Sequence, residues 1–118
     1  MKTHKILYID SDETYHYIVK HTLKDNAIEV CLPRMNDAMP KIENNGYDFV
    51  LLDYLLKGGD HDVFDFIREI RKKIKSPIYI LSNAEEFKVV EGLEKEGIKD
   101  VGYISKADIF ERLTTLFQ

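Results

Sequence analysis

Cysteine is almost missing from this sequence. Cys31 stands alone, so no internal disulfide can form; it sits in an apolar stretch and reads as a small buried residue, compatible with a cytoplasmic setting. A basic excess is also missing. The net charge is −4, which removes a nucleic-acid surface as the default reading. No apolar run approaches the about 20 residues of a membrane span. The N-terminal "MKTHKILYID" has too short an apolar core for a signal peptide, and acids follow at once. Linkers, internal repeats and low-complexity segments are lacking too. What is present suits one soluble domain spanning residues 1–118: 44% apolar and 32% charged residues, enough to bury a core without staples. The chain ends in "LTTLFQ" without a tail, so it reads either as a stand-alone domain or as the N-terminal part of a longer protein.

Apolar runs alternate with helical spacing along the chain. "KILYID" (Lys5 to Asp10) predicts a strand, and Tyr15, Ile18, Val19 and Leu23 mark one face of a following helix. "AIEVCL" (Ala27 to Leu32) predicts a second strand. Met35, Ala38, Met39 and Ile42 mark a second helix, with Pro40 near its first turn and Gly46 at its end. "FVLLD" predicts a third strand, and Val63, Phe66, Ile67 and Ile70 a third helix. "PIYILS" (Pro77 to Ser82) predicts a fourth strand. Phe87, Val90 and Leu93 mark a fourth helix, ended near Gly97. "VGYIS" (Val101 to Ser105) predicts a fifth strand, and Ile109, Leu113, Leu116 and Phe117 a fifth helix. The basic run Arg71 to Lys75 reads as a solvated helix C-terminus, favoured by the helix dipole.

Strands that are apolar without alternation are buried on both faces, as in a parallel sheet covered by helices. Right-handed crossovers on so short a chain predict a flavodoxin-like, doubly wound (βα)5 sandwich with strand order 2-1-3-4-5. In such sheets the site lies at the C-terminal ends of the strands. The first strand ends in Asp10, followed by Ser11 and Asp12; the third ends in Asp53; the fourth in Ser82; the fifth in Ser105 and Lys106. Strands one and three are neighbours in this order, so Asp10, Asp12 and Asp53 are expected to converge, with Ser82 and Lys106 on the other side.

Three such carboxylates repel. At ~4 Å and an effective dielectric near 20, each pair costs on the order of 4 kcal/mol. Lys106 is one source of compensation, and a hard divalent ion such as Mg2+ is the other. This is chemistry for a carboxylate that accepts a phosphoryl group, with Lys106 and Ser82 on the phosphate oxygens. Each residue also has a plainer reading. Asp10 with Glu13, and Ser82 with Glu85, fit helix capping boxes, and Lys106 alone fits a surface lysine. Asp53 is harder to dismiss, because Tyr54 to Leu56 delay any helix and no cap is needed there. Five residues at one sheet edge favour the site.

At this point the sequence resembles the receiver domain of bacterial two-component response regulators, of the chemotaxis-regulator type, over nearly its whole length. "ILYIDSDE" resembles the first strand with its acidic pair, "YDFVLLD" the third strand, "IYILS" the fourth and "GYISK" the fifth. The resemblance implies a signalling switch and not a turnover enzyme. Asp53 would be the phosphoacceptor, Ser82 and Lys106 its partners, and Tyr103 the switch aromatic. Mg2+ would be held by Asp10, Asp12, Asp53, the backbone carbonyl of Leu55 and Ser11. A histidine kinase or histidine phosphotransfer protein would supply the phosphate. The face formed by the fourth helix, fifth strand and fifth helix would then bind a target protein, a fused effector or a second copy, with no nucleic-acid or membrane contact by this domain.

The sequence departs from that family in four places. Ser11 replaces the second acid, Asn83 follows Ser82, Ala107 replaces a proline that is usually cis, and the glycine-containing loop from Lys57 is about two residues longer than usual. Ser11 and Asn83 suit a pseudo-receiver, a binding module that is never phosphorylated. "YIDSDET" also matches the DxDxT motif of haloacid-dehalogenase-type phosphatases, with Asp10 as nucleophile and Asp12 as acid/base. Against that reading, no room follows the motif for that family's flap. A flavodoxin would need a hydroxyl- and glycine-rich loop where "SDETYHY" is acidic.

Overall fold

The computed structural model describes residues 4–10, 12–23, 27–32, 37–44, 46–54, 63–83 and 85–116. Five strands, β1 (His4–Ile9), β2 (Ala27–Leu32), β3 (Phe49–Asp53), β4 (Ile78–Ser82) and β5 (Val101–Ser105), form one sheet in the order β2-β1-β3-β4-β5. All four pairings are parallel. The helices are α1 (Glu13–Leu23), α2 (Ala38–Asn44), α3 (Val63–Arg71), α4 (Glu86–Lys95) and α5 (Ile109–Leu116), with a 3-10 turn over Lys106–Asp108 leading into α5. The expected doubly wound sandwich is therefore the architecture found.

Strand parity divides the core in two. Ile6, Tyr8, Leu51, Leu81 and Ile104 pack against Val19 and Leu23 of α1 and Ile109 and Leu113 of α5. Leu7, Ile9, Val50, Leu52, Ile78 and Ile80 face α2, α3 and α4. Central strands are thus covered on both sides, which is why their sequences are unbroken apolar runs. Each fully buried Leu or Ile contributes roughly 1.5–3 kcal/mol. Among these, Leu51, Leu52, Ile67 and Ile70 are wholly excluded from solvent.

Helix α4 corrects one expectation. Its buried stripe is Val89 and Leu93, spaced i, i+4, whereas Phe87 (60% exposed) and Val90 (38% exposed) lie on the outer side. The helix ends in a Schellman motif. Gly97 takes φ +68°, its N–H donates to the Glu94 carbonyl at 3.1 Å, and the Ile98 N–H donates to the Leu93 carbonyl at 2.9 Å. Ile98 then packs on the same core cluster as Leu93. Arg71, at the start of the basic run, does more than face solvent. Its guanidinium donates to the carbonyls of Ser76 and Asp100, tying the end of α3 to the start of β4 and the turn before β5.

Glycine is required at one strand position. Gly102 on β5 pairs in register with Tyr79 on β4, and a Cβ there would lie 2.4 Å from Tyr79 Cδ1. The tyrosine ring covers that bare backbone. The readings placed on Met35, Phe117 and the loop from Lys57 to Asp62 lie outside the described residues, as does the side chain of Cys31.

Candidate functional site

The site follows from the same parity. Tyr8 and Leu51 are register partners on the α1/α5 side of the sheet. Two residues further along each strand, on the same side, stand Asp10 and Asp53. Ile104 shares this side, and two residues on stands Lys106, in the turn that opens toward α5. Three strands therefore deliver two carboxylates and one ammonium to a single point at the C-terminal edge of the sheet.

All three are buried. Asp10 is 0% exposed, Asp53 8% and Lys106 7%. Lys106 Nζ lies 2.9 Å from Asp10 Oδ2 and 3.1 Å from Asp53 Oδ1, so one ammonium bridges both carboxylates. Tyr15 of α1 presents its ring face to the same nitrogen, 4.1 Å from the centroid. Burial pulls the Lys106 pKa down, but the hydrogen bonds to Asp10 and Asp53 and the charges of both outweigh it, and the net shift is upward. The three formal charges sum to −1. The arrangement is thus a hard, oxygen-rich cluster that stays net negative with its fixed cation included.

Asp10 has further partners. Tyr8 donates its hydroxyl to Asp10 Oδ2 at 2.5 Å, and the Asp12 N–H donates to Asp10 Oδ1 at 2.9 Å. His16 donates a ring N–H to the Asp10 carbonyl oxygen, and its ring packs on Tyr8 at 5.4 Å between centroids. Sequence reading missed Tyr8 and His16 as parts of the site and took Tyr15 only for a core position. The signal for Tyr8 was available: it stands two residues before Asp10 and so on the same side of the strand.

Asp12 does not join the pair. Its side chain accepts the Thr14 N–H at 2.9 Å and its carbonyl accepts the Tyr15 N–H, so it caps α1 at an exposed position. Among the described residues no group of three acidic, histidine or cysteine side chains is arranged to hold a metal. The capping-box readings of Asp10 and Ser82 are also corrected: Asp12 caps α1, and α4 starts from Glu85 with no side-chain cap bond.

Ser82 is buried at the end of β4, 2% exposed, with the parity of Ile80 and not of Asp53. Asn83 beside it is exposed. Tyr103 is half-buried against the α2–α4 side of the core, and Arg112 donates to its carbonyl. Among the described residues no peptide bond is cis, as expected for Ala107 after Lys106. Leu55 and Ser11 lie outside the described residues.

No protein-family model matches the sequence. Solved structures do. The chain is similar to the receiver domain of a Francisella response regulator, with 25% identity, 97% of this chain and 96% of that one covered, and a TM-score of 0.72. It is similar to a two-component response regulator from Clostridium difficile, with 22% identity, 96% and 94% covered, and a TM-score of 0.77. It is also similar to a response regulator from Burkholderia pseudomallei, at 16% identity and a TM-score of 0.78. That match covers 98% of this chain but only 66% of the other, whose structure holds a phosphorylated aspartic acid, a calcium ion and citrate. The fold is that of response regulator receiver domains, and the resemblance carried by the strand-end motifs agrees with it.

Proposed function

We propose that this chain is a phosphoacceptor receiver domain in which Asp53 takes a phosphoryl group from a histidine kinase or histidine phosphotransfer protein. The observation that carries this reading is the single ammonium of Lys106 bridging Asp10 and Asp53 at the C-terminal edge of the sheet. In the transfer, a carboxylate oxygen of Asp53 attacks phosphorus, the P–N bond of the donor phosphohistidine breaks, and the electron pair leaves on the imidazole nitrogen, which takes a proton from solvent. Asp53 becomes an acyl phosphate. Lys106 holds a phosphoryl oxygen, and Ser82, one residue past Asp53's register partner Leu81 on β4, would take another after turning toward the site. Tyr103 and the α4–β5–α5 face then change to engage a target, an effector domain or a second copy.

The donor set fits a divalent ion. Two buried carboxylates carrying one lysine leave one negative charge and oxygen ligands only, which suits Mg2+ with water and phosphate oxygens completing its shell. Asp10 and Asp53 would hold it. Bound there, Mg2+ would neutralise charge on the transferring phosphoryl group. The phosphorylated aspartate and calcium ion of the Burkholderia relative support such a pairing in this fold. Against the phosphatase alternative, the Asp12 side chain is exposed and accepts the Thr14 N–H at the start of α1.

Acetyl phosphate with Mg2+ tests the proposal. Intact mass should show one labile added phosphate, absent in Asp53→Asn and partly retained in Asp10→Asn. An adduct that survives Asp53→Asn but not Asp10→Asn would restore the phosphatase reading. No adduct at any Mg2+ concentration would make the chain a pseudo-receiver.

A further inference from the structure

Tyr8 is the unexpected member of the site. It is wholly buried, and its hydroxyl meets Asp10 Oδ2, the same oxygen that Lys106 holds. We propose that Tyr8 is a positioning residue: it keeps Asp10 satisfied when Lys106 turns from Asp10 to an incoming phosphoryl oxygen. The proposal rests on the phosphoacceptor reading above.

Asp10 is fully enclosed, and among the described residues three groups donate to its carboxylate: Lys106 and Tyr8 to Oδ2, and the Asp12 N–H to Oδ1. Only Lys106 carries charge, so only Lys106 is drawn by a phosphoryl group on the neighbouring Asp53. Its departure would strip Oδ2 of its charged donor, and without Tyr8 that oxygen would keep no hydrogen-bond donor among the described residues, which is costly in a buried carboxylate. Tyr8 remains. A phenol is neutral, has one proton to give, and here makes the short contact typical of O–H to carboxylate bonds. Its ring is fixed by the strand and by His16, which also holds the Asp10 carbonyl. Tyr8 thus lowers the cost of releasing the lysine without competing for the phosphate.

Tyr8→Phe keeps the ring and removes the hydroxyl. Two quantities are to be measured: the maximal rate of adduct formation from acetyl phosphate at saturating Mg2+, per folded molecule, and the Mg2+ affinity of the unphosphorylated protein by calorimetry. A lost hydrogen bond to a charged group predicts a maximal rate lower by about tenfold to a hundredfold. The Mg2+ dissociation constant should stay within about twofold, because Lys106 still holds Oδ2 in the resting state. A purely structural role would lower the folded fraction and leave the rate per folded molecule alone. An unchanged rate, or a loss confined to Mg2+ affinity, overturns the proposal while leaving Asp53 as phosphoacceptor. A wild-type chain that takes up no phosphate overturns both. Should Tyr8→Phe not fold, proton NMR of the wild type decides: a hydrogen-bonded Tyr8 hydroxyl proton should be seen before and after phosphorylation while the Lys106 ammonium resonance moves, and its absence from the phosphorylated protein refutes the role.

Discussion

Replacing Lys106 by methionine keeps the length of the side chain and deletes its charge. In the native protein that charge lies 2.9 Å from Asp10 and 3.1 Å from Asp53, worth about 5–6 kcal/mol of gross attraction for each pair at an effective dielectric of 20. Most of that is offset by the cost of burying all three groups. Removing one partner does not recover that cost, because two carboxylates stay buried beside each other. Breaking a buried pair from one side costs about 3–5 kcal/mol, so Lys106→Met should lose that much. With a urea m-value of about 2 kcal/mol per molar, the unfolding midpoint should fall by roughly 2 M, read by circular dichroism with m unchanged. Asp53→Asn gives the opposite expectation. It leaves Lys106 paired with Asp10 at zero net charge, so its midpoint should stay near that of the wild type. In the Asp53→Asn background, Lys106→Met should cost clearly less than in the wild type, because only one carboxylate is then stranded. A Lys106→Met loss below about 1 kcal/mol, the range of exposed pairs, would refute the reasoning: Lys106 would then not be holding two buried acids in solution.

The Lys106 pKa is raised in the folded state, so the stability it adds is fully present below the unfolded lysine value of about 10.4 and is lost as pH rises through the folded value. The midpoint difference between wild type and Lys106→Met should therefore be flat from neutral pH to that value and narrow above it in pH-resolved urea titrations. Gly97→Ala forces a left-handed angle on a residue with a Cβ and should cost about 1 kcal/mol by thermal or urea unfolding, with the fold kept. Gly102→Ala drives a methyl into the Tyr79 ring and should cost about 1–3 kcal/mol, less in a Tyr79→Leu background, where the ring is gone.

The architecture was legible because its signals repeat. Five unalternating apolar runs, each followed by helical spacing, leave little besides a parallel sheet covered on both faces, and the sheet order then brings Asp10 beside Asp53. Lys106 was legible for the same reason, as the residue just past β5. Asp12 was misplaced because sequence position and charge do not say which of two nearby acids turns inward. Strand parity sends Asp10 into the site, and the start of α1 takes Asp12 as its cap. Phe87 and Val90 misled because two large apolar residues at i, i+3 look like a core stripe. The surface that buries Val89 and Leu93 is set by the docking of α4 on the sheet, which its own sequence does not encode. Tyr8 was hidden inside an apolar run, where tyrosine counts as a strand former, and its hydroxyl acquires meaning only when the lysine arrives from a residue nearly a hundred positions away.

Asp53 as the acceptor of the phosphoryl group can be tested directly. Borohydride reduces an acyl phosphate and spares phosphoserine and phosphothreonine, so treating the protein after acetyl phosphate and mapping the peptides locates the acceptor directly. Homoserine is expected at position 53 and nowhere else, dependent on a divalent cation and lost on prior hydrolysis of the adduct. Reduction at Asp10, or a phosphate that borohydride leaves untouched, would contradict it.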